Sequence, residues 1–215
     1  MRTREPLLVA LLLAALPAAT RAAPDVPVCR LQAPQRFLVR SSFVRKDGFY
    51  AEAHARALRY RVEKYGPIPD AATQAESTTF MGLPVTVHRK IVPALRCVQR
   101  RIERTCTRES DRYVPHALGG LREQNTYRGE EISNHLFGIA VDIDSDRNPC
   151  CGCAAPWPEH PLCKRKSKGP YGRTALTPCW VRSFGRYGFY RLGRDPILMD
   201  TMHFEFLGDP DRIAP

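Results

Sequence analysis

The chain has 215 residues and carries 33 lysines and arginines against 22 aspartates and glutamates, a formal net charge of +11. That length gives room for one ordinary domain with a real core. The basic balance suits a polyanionic surface such as a cell wall or an anionic membrane face, and no nucleic-acid motif accompanies it, which sets nucleic acid aside as a partner.

The N-terminus begins Met1-Arg2-Thr3-Arg4, runs apolar over residues 7–19 and then offers small residues at Thr20, Ala22 and Ala23. A positive start, an apolar centre and a small-residue site predict a secretory signal over 1–23. The apolar run is short for a membrane span, although an uncleaved anchor is the rival reading. Setting residues 1–23 aside removes three arginines and one glutamate and leaves +9. Residues 24–215 then form one domain.

Residues 24–36 are rich in proline and alanine and read as a lead-in. Residues 37–44 read as a short strand. A helix is expected over 48–65, with Phe49, Ala53, Ala57 and Tyr60 at helical spacing and Gly66-Pro67 as its stop. Residues 67–85 are turn-rich and receive no element. A second helix is expected over 88–104, where Ile91, Val92, Leu95, Val98 and Ile102 form an apolar stripe opposite Arg96, Arg100, Arg101 and Arg104. Residues 107–131 are polar around Gly119-Gly120 and hold Arg122 and Arg128. A last helix is expected over 177–187, capped by Thr177, with Pro178 at its first position and Gly188 at its end.

All eight cysteines follow the signal, and five of them fall within residues 150–179. An even count in an exported chain favours disulfides; a structural zinc on Cys150, Cys151, Cys153 and Cys163 is the rival. Proximity alone suggests one pairing, Cys97 with Cys106. Residues 145–175, with five prolines and a basic run at 164–168, read as a stapled insertion at the rim of a site.

Two stretches carry metal-site chemistry. In the first, Ser133-Asn134-His135-Leu136-Phe137-Gly138 leads into Ile139-Ala140-Val141-Asp142-Ile143, whose alternation predicts a strand; Gly138 permits a tight or close-packed turn. In the second, Asp200-Thr201 precedes Met202-His203-Phe204-Glu205-Phe206, again alternating. Two histidines and a carboxylate are three ligands, the number a catalytic zinc uses when it leaves its fourth position for water. The remaining acid, Asp200, is then free to act as a base. Glu205 shares a strand face with His203 and can orient it.

These stretches resemble the zinc peptidases of the D-alanyl-D-alanine carboxypeptidase and L-alanyl-D-glutamate peptidase group, which share a hedgehog-like fold. The pattern Ser-x-His, Gly-x-Ala-x-Asp and acid-x-x-His is matched by Ser133, His135, Gly138, Ala140, Asp142, Asp200 and His203. The resemblance implies His135, Asp142 and His203 as zinc ligands, Asp200 as general base, and an upstream arginine, Arg122 first and Arg128 second, that holds the substrate carboxylate or the oxyanion. Relatives carry a tryptophan after a Gly-Phe-Tyr such as 188–190; here Arg191 stands there, which puts the pocket wall in question.

The expected fold is therefore α+β, a small antiparallel sheet carrying the metal site with helices packed against it. The expected function is an exported, zinc-dependent peptidase of peptidoglycan stem peptides, acting in the periplasm or at the cell wall. The alternative is a non-catalytic zinc-containing wall-binding domain on the same fold. The bond cut and the oligomeric state stay open.

Overall fold

The structure, a computed structural model, describes residues 29–127, 130–166, 169 and 171–213. The expected signal at 1–23 and the candidate Arg128 lie outside the described residues. The chain is α+β, with helices and small antiparallel sheets.

The N-terminal part differs from the expectation. Residues 37–44 are not a strand. They form two 3-10 turns, Arg36–Leu38 and Arg40–Ser42, that run into a small hairpin of β1 (Val44–Arg45) and β2 (Gly48–Phe49). The reason is in the burial: Leu38 and Phe43, five residues apart, both enter a small cluster with Ala57 and Leu207, and no period-2 face results. Because Gly48 and Phe49 belong to the hairpin, α1 starts later than expected and spans Ala51–Tyr65. Its buried positions are His54, Ala57, Arg61 and Tyr65. Two of these are polar, so apolar spacing alone placed the buried stripe on a neighbouring face. Gly66 closes the helix at a φ of +89°.

The turn-rich stretch 67–85 holds α2 (Ile68–Thr73) and a hairpin of β3 (Ala75–Phe80) with β4 (Leu83–His88). Met81 and Gly82, both at positive φ, make its two-residue turn. Glu76, Ser77, Thr78 and Thr79 hide this strand from a hydrophobic reading, since only Phe80 of β3 is fully buried. The second helix, α3, spans Val92–Thr105. It begins beyond His88 because that side chain caps a preceding 3-10 turn, accepting from the Lys90 amide at 3.2 Å. The stripe Ile91, Val92, Leu95, Val98 and Ile102 is buried as expected.

The central sheet has four antiparallel strands in the order β5-β6-β8-β7, where β5 is Leu118–Gly119, β6 Ala140–Ile143, β7 Phe189–Arg191 and β8 His203–Phe206. A short α4 (Pro161–Lys164) lies in the cysteine-rich stretch. The last helix, α5, spans Pro178–Gly185; Thr177 accepts from the Trp180 amide at its N-terminus and Pro178 takes the first position. Register fixes what each face of the sheet carries. Val141 pairs with Phe204 and Phe189 with Phe206. These rings meet α5, with Phe184 stacked on Phe204 at 4.2 Å between centroids. Asp142 pairs with His203 and Ala140 with Glu205, so the polar side chains gather on the opposite face.

The eight cysteines form four disulfides: Cys29–Cys97, Cys106–Cys179, Cys150–Cys153 and Cys151–Cys163. The Cys97–Cys106 pairing is thus corrected. Cys97 is buried within α3 and Cys106 follows its end, so each reaches a different distant partner, and Cys106–Cys179 ties α3 to α5. The rival thiolate cluster is replaced by two disulfides within the insertion.

Candidate metal centre and cleft

His135 sits in a 3-10 turn, Asn134–Phe137, whose cap is the Ser133 hydroxyl accepting from the His135 amide at 3.3 Å. Gly138 ends the turn in the left-handed region, at a φ of +65°. The His135 Nδ1–H donates to the Gly120 carbonyl at 2.6 Å, which leaves Nε2 as a bare lone pair aimed at the sheet. Gly120 must be glycine for this: a Cβ there would lie 2.1 Å from the Thr86 carbonyl oxygen of β4. On β8, His203 turns Nε2 toward Glu205 Oε2 at 3.4 Å and Nδ1 toward Asp142 Oδ1 at 3.0 Å. Glu205 is held in turn by the Asn134 amide at 2.6 Å. Asn134 is a contributor that sequence reasoning missed, although it stands inside the motif.

His135 Nε2, His203 Nδ1 and Asp142 Oδ1 lie 3.0, 3.1 and 3.2 Å apart. Ligand atoms about 2.0–2.1 Å from a tetrahedral zinc are separated by roughly 3.3 Å. The triangle therefore fits one face of such a tetrahedron to a few tenths of an ångström. Both imidazoles also have their second nitrogen on an acceptor, the arrangement that orients metal-ligating histidines. His135, Asp142 and His203 are thus a group that can hold a metal ion.

The electrostatics favour a cation here. Burial alone would raise the Asp142 carboxyl, yet the adjoining His135 and His203 hold it well below the usual range. Burial lowers His135, against the pull of Asp142. Burial also works against a charged His203, but hydrogen bonds to Asp142 and Glu205 and their charges push it up to about 10. Fully buried Arg61 of α1 adds positive charge behind Glu205 and helps keep it ionised.

Asp200 stands apart from the triangle but lines the same cleft. It is 8% exposed, and its Oδ1 has no hydrogen-bond partner among the described residues. Burial first, then the negative charge of Asp142, push its carboxyl up to about 7. The loop bearing it is clamped from two sides. Asp195 accepts from the Ile197 and Leu198 amides and from buried Arg40, which also grips Glu131. The cysteine-rich insertion forms a backbone ladder with it: Gly152 N to Leu198 O at 2.6 Å, Cys151 N to Met199 O at 3.2 Å, and Thr201 N to Pro149 O at 3.1 Å. A Cβ on Gly152 would meet the Ile197 carbonyl oxygen at 1.9 Å. The Cys150–Cys153 disulfide and Trp157, from the insertion expected at the rim, complete the cleft with Tyr127 and Met202, to which sequence reasoning assigned no site role.

Arg122 donates from Nη2 to Asp142 Oδ2, so one end of the fork steadies a donor carboxylate while the half-exposed head also lines the cleft. Arg191 does not line it. Its register opposite Phe204 turns it to the other face, where Nε donates to the Thr201 carbonyl at 3.0 Å.

Residues 127–206 match the family described as D-alanyl-D-alanine carboxypeptidase. The matched segment contains all three donors and Asp200, and it spans a little over a third of the chain. No curated protein and no solved structure matches. The match begins after Arg122 and leaves out α1, α2 and α3.

Proposed function

We propose that the protein is an exported zinc peptidase that hydrolyses peptide bonds in peptidoglycan stem peptides, as a D,D-carboxypeptidase or endopeptidase. The single observation that carries this reading is the pairing of a closed three-donor triangle with a separate, buried carboxylate that has an oxygen to spare in the same cleft. His135, Asp142 and His203 would hold the Zn²⁺. When bound, the ion supplies Lewis-acid polarisation of the scissile carbonyl and lowers the pKa of water. Asp200 takes a proton from the attacking water on Oδ1 and returns it to the leaving amine. Burial, which raises the Asp200 carboxyl, favours its taking up that proton. Arg122, beside Asp142, offers its remaining N–H groups to the substrate carboxylate or the oxyanion, and Arg128 is the second candidate for that contact. The cysteine-rich stretch at about 145–175 supplies the rim of the cleft.

Export rests on the signal pattern at 1–23 and on four disulfides, which persist in oxidising compartments. The site of action is then the periplasm or the cell wall, where a mature charge of +9 suits a polyanionic matrix. No helix among the described residues is long and apolar enough to cross a membrane.

The test is digestion of purified peptidoglycan by the disulfide-intact protein, with mass spectrometry of the released fragments. The wild type is expected to create new peptide ends whose masses name the bond. Asp200→Ala is expected to bind one equivalent of zinc and to lose roughly 10²–10⁴-fold in rate. Zinc bound with no peptide cut by the wild type would overturn the peptidase reading in favour of a non-catalytic wall-binding domain.

A further inference from the structure

Cys150, Cys153 and Asp200 are a second group of metal-ligating side chains, with one donor atom from each within 4.8 Å of the others. They line the same cleft as His135, Asp142 and His203. The two sulfurs are joined to each other, so the group is a donor set only when that bond is open. The closed bond is the resting form in an oxidising compartment. The backbone holds these residues together independently of the bond. Cys150 is paired with Asp200 in an antiparallel bridge, and the ladder continues from Cys151 N to Met199 O and from Gly152 N to Leu198 O. Opening the disulfide therefore leaves both cysteines against the loop of Asp200. It also costs the fold little. This bond closes a separation of 3 residues, against 68 and 73 for the two that join distant segments, and the restraint a disulfide puts on the unfolded chain grows with the loop it closes. Cys151–Cys163 still staples the insertion. Cys150 is buried, whereas Cys153 is half-buried in the cleft wall and open to attack.

The chemistry of the open form favours a cation. Cys-x-x-Cys is a ligand spacing of thiolate zinc sites. Asp200 is 8% exposed, and its Oδ1 has no hydrogen-bond partner among the described residues. Two thiolates beside that buried carboxylate repel one another and it unless a metal joins them. Two sulfurs and one oxygen leave the fourth position of a tetrahedral ion to water, and thiolates select zinc and other thiophilic ions over magnesium or calcium. We propose that reduction of Cys150–Cys153 turns this wall of the cleft into a second metal site, in which Cys150, Cys153 and Asp200 hold a thiophilic divalent cation. The reductant is a dithiol. Its thiolate attacks the Cys153 sulfur, Cys150 leaves, and the second thiol of the donor then frees Cys153. Two electrons and two protons pass to the protein, and the donor becomes a disulfide. The cation displaces the two cysteine protons as it binds. One consequence rests on the peptidase reading: the same ion takes Asp200 away from the attacking water, and the reduced, metal-loaded protein stops cutting.

Cd²⁺ is the probe, because its bonds to thiolates give an ultraviolet charge-transfer band that imidazole and carboxylate ligands do not. Protein loaded with one equivalent of zinc is reduced with dithiothreitol, desalted without oxygen and titrated with Cd²⁺. Beside it run Cys150→Ser/Cys153→Ser, Cys151→Ser/Cys163→Ser and Asp200→Asn, each checked for its fold by near-ultraviolet circular dichroism. The band is expected in the wild type after reduction and not before. It is expected to be absent in C150S/C153S and kept in C151S/C163S. Even an outer partner of a metal ligand is worth about 10–100-fold in affinity, so Asp200→Asn, which removes a direct donor, is expected to weaken Cd²⁺ binding at least about tenfold. A band that survives C150S/C153S or vanishes in C151S/C163S, no band at all, or an affinity unchanged in Asp200→Asn overturns the site. No peptide enters the measurement, so the peptidase reading stands or falls separately.

Discussion

His88 shows how one side chain can carry a pH dependence that has nothing to do with the metal donors. It is fully buried, its ring faces Tyr65 of α1, its Nε2 lies 3.3 Å from the Tyr65 carbonyl, and the cations near it are Lys90 and Arg89. Burial lowers its pKa to about 4, against a hydrogen bond to Tyr65 that raises it. The unfolded chain binds the proton near 6.5 and the folded one only near 4. Stability from neutral His88 is therefore complete above about pH 6.5 and is lost as pH falls toward 4. The loss amounts to about 3 kcal/mol. Thermal melts of His88→Gln should show a flatter dependence over that window than the wild type; parallel curves would sink this account. His135, Asp142, Asp200 and His203 were legible as a set because their spacing matched a known pattern. Asn134, Tyr127 and Arg61 were not, since their contributions come from neighbours far along the chain.

Among the elements, β6 and β8 place two donors by register alone. Asp142 and His203 are cross-strand partners, and a slip of one residue would send one of them into the aromatic core. Alternation made each strand visible in the sequence, but no single strand says which residue faces which. The β3–β4 hairpin was invisible because its residues are mostly polar, and the 3-10 turns at 36–42 passed for a strand because a short apolar run does not reveal its period. The ladder between 149–152 and 198–201 belongs to this scale too. Gly152→Ala forces a Cβ against the Ile197 carbonyl and should displace the loop that aims Asp200, while β6 and β8 keep their pairing. On the peptidase reading, kcat should fall by up to about 100-fold with zinc stoichiometry unchanged. Unaltered kcat, or loss of zinc along with activity, would mean that the ladder does not position Asp200.

At the scale of the whole molecule, α5 covers the aromatic face of the central sheet with α3 packed against α5, and the opposite face carries Asp142, His203 and Glu205. Two disulfides join segments 68 and 73 residues apart, and two staple the insertion at the rim. Composition could say that the cysteines pair, but pairing depends on which ends the fold brings together, and that is a tertiary fact. The same limit applied to Arg191, whose place after Gly-Phe-Tyr suggested the cleft wall until its strand face turned it to the other side. The central claim is that two imidazoles and one carboxylate hold a zinc beside Asp200. Zinc-edge X-ray absorption on the disulfide-intact protein, loaded with one equivalent, tests it most directly. The account predicts nitrogen and oxygen neighbours at about 2.0–2.1 Å with imidazole scattering, abolished in His203→Ala. Sulfur neighbours at about 2.3 Å, or a spectrum unchanged in that variant, would place the metal in the cysteine-rich insertion and contradict it.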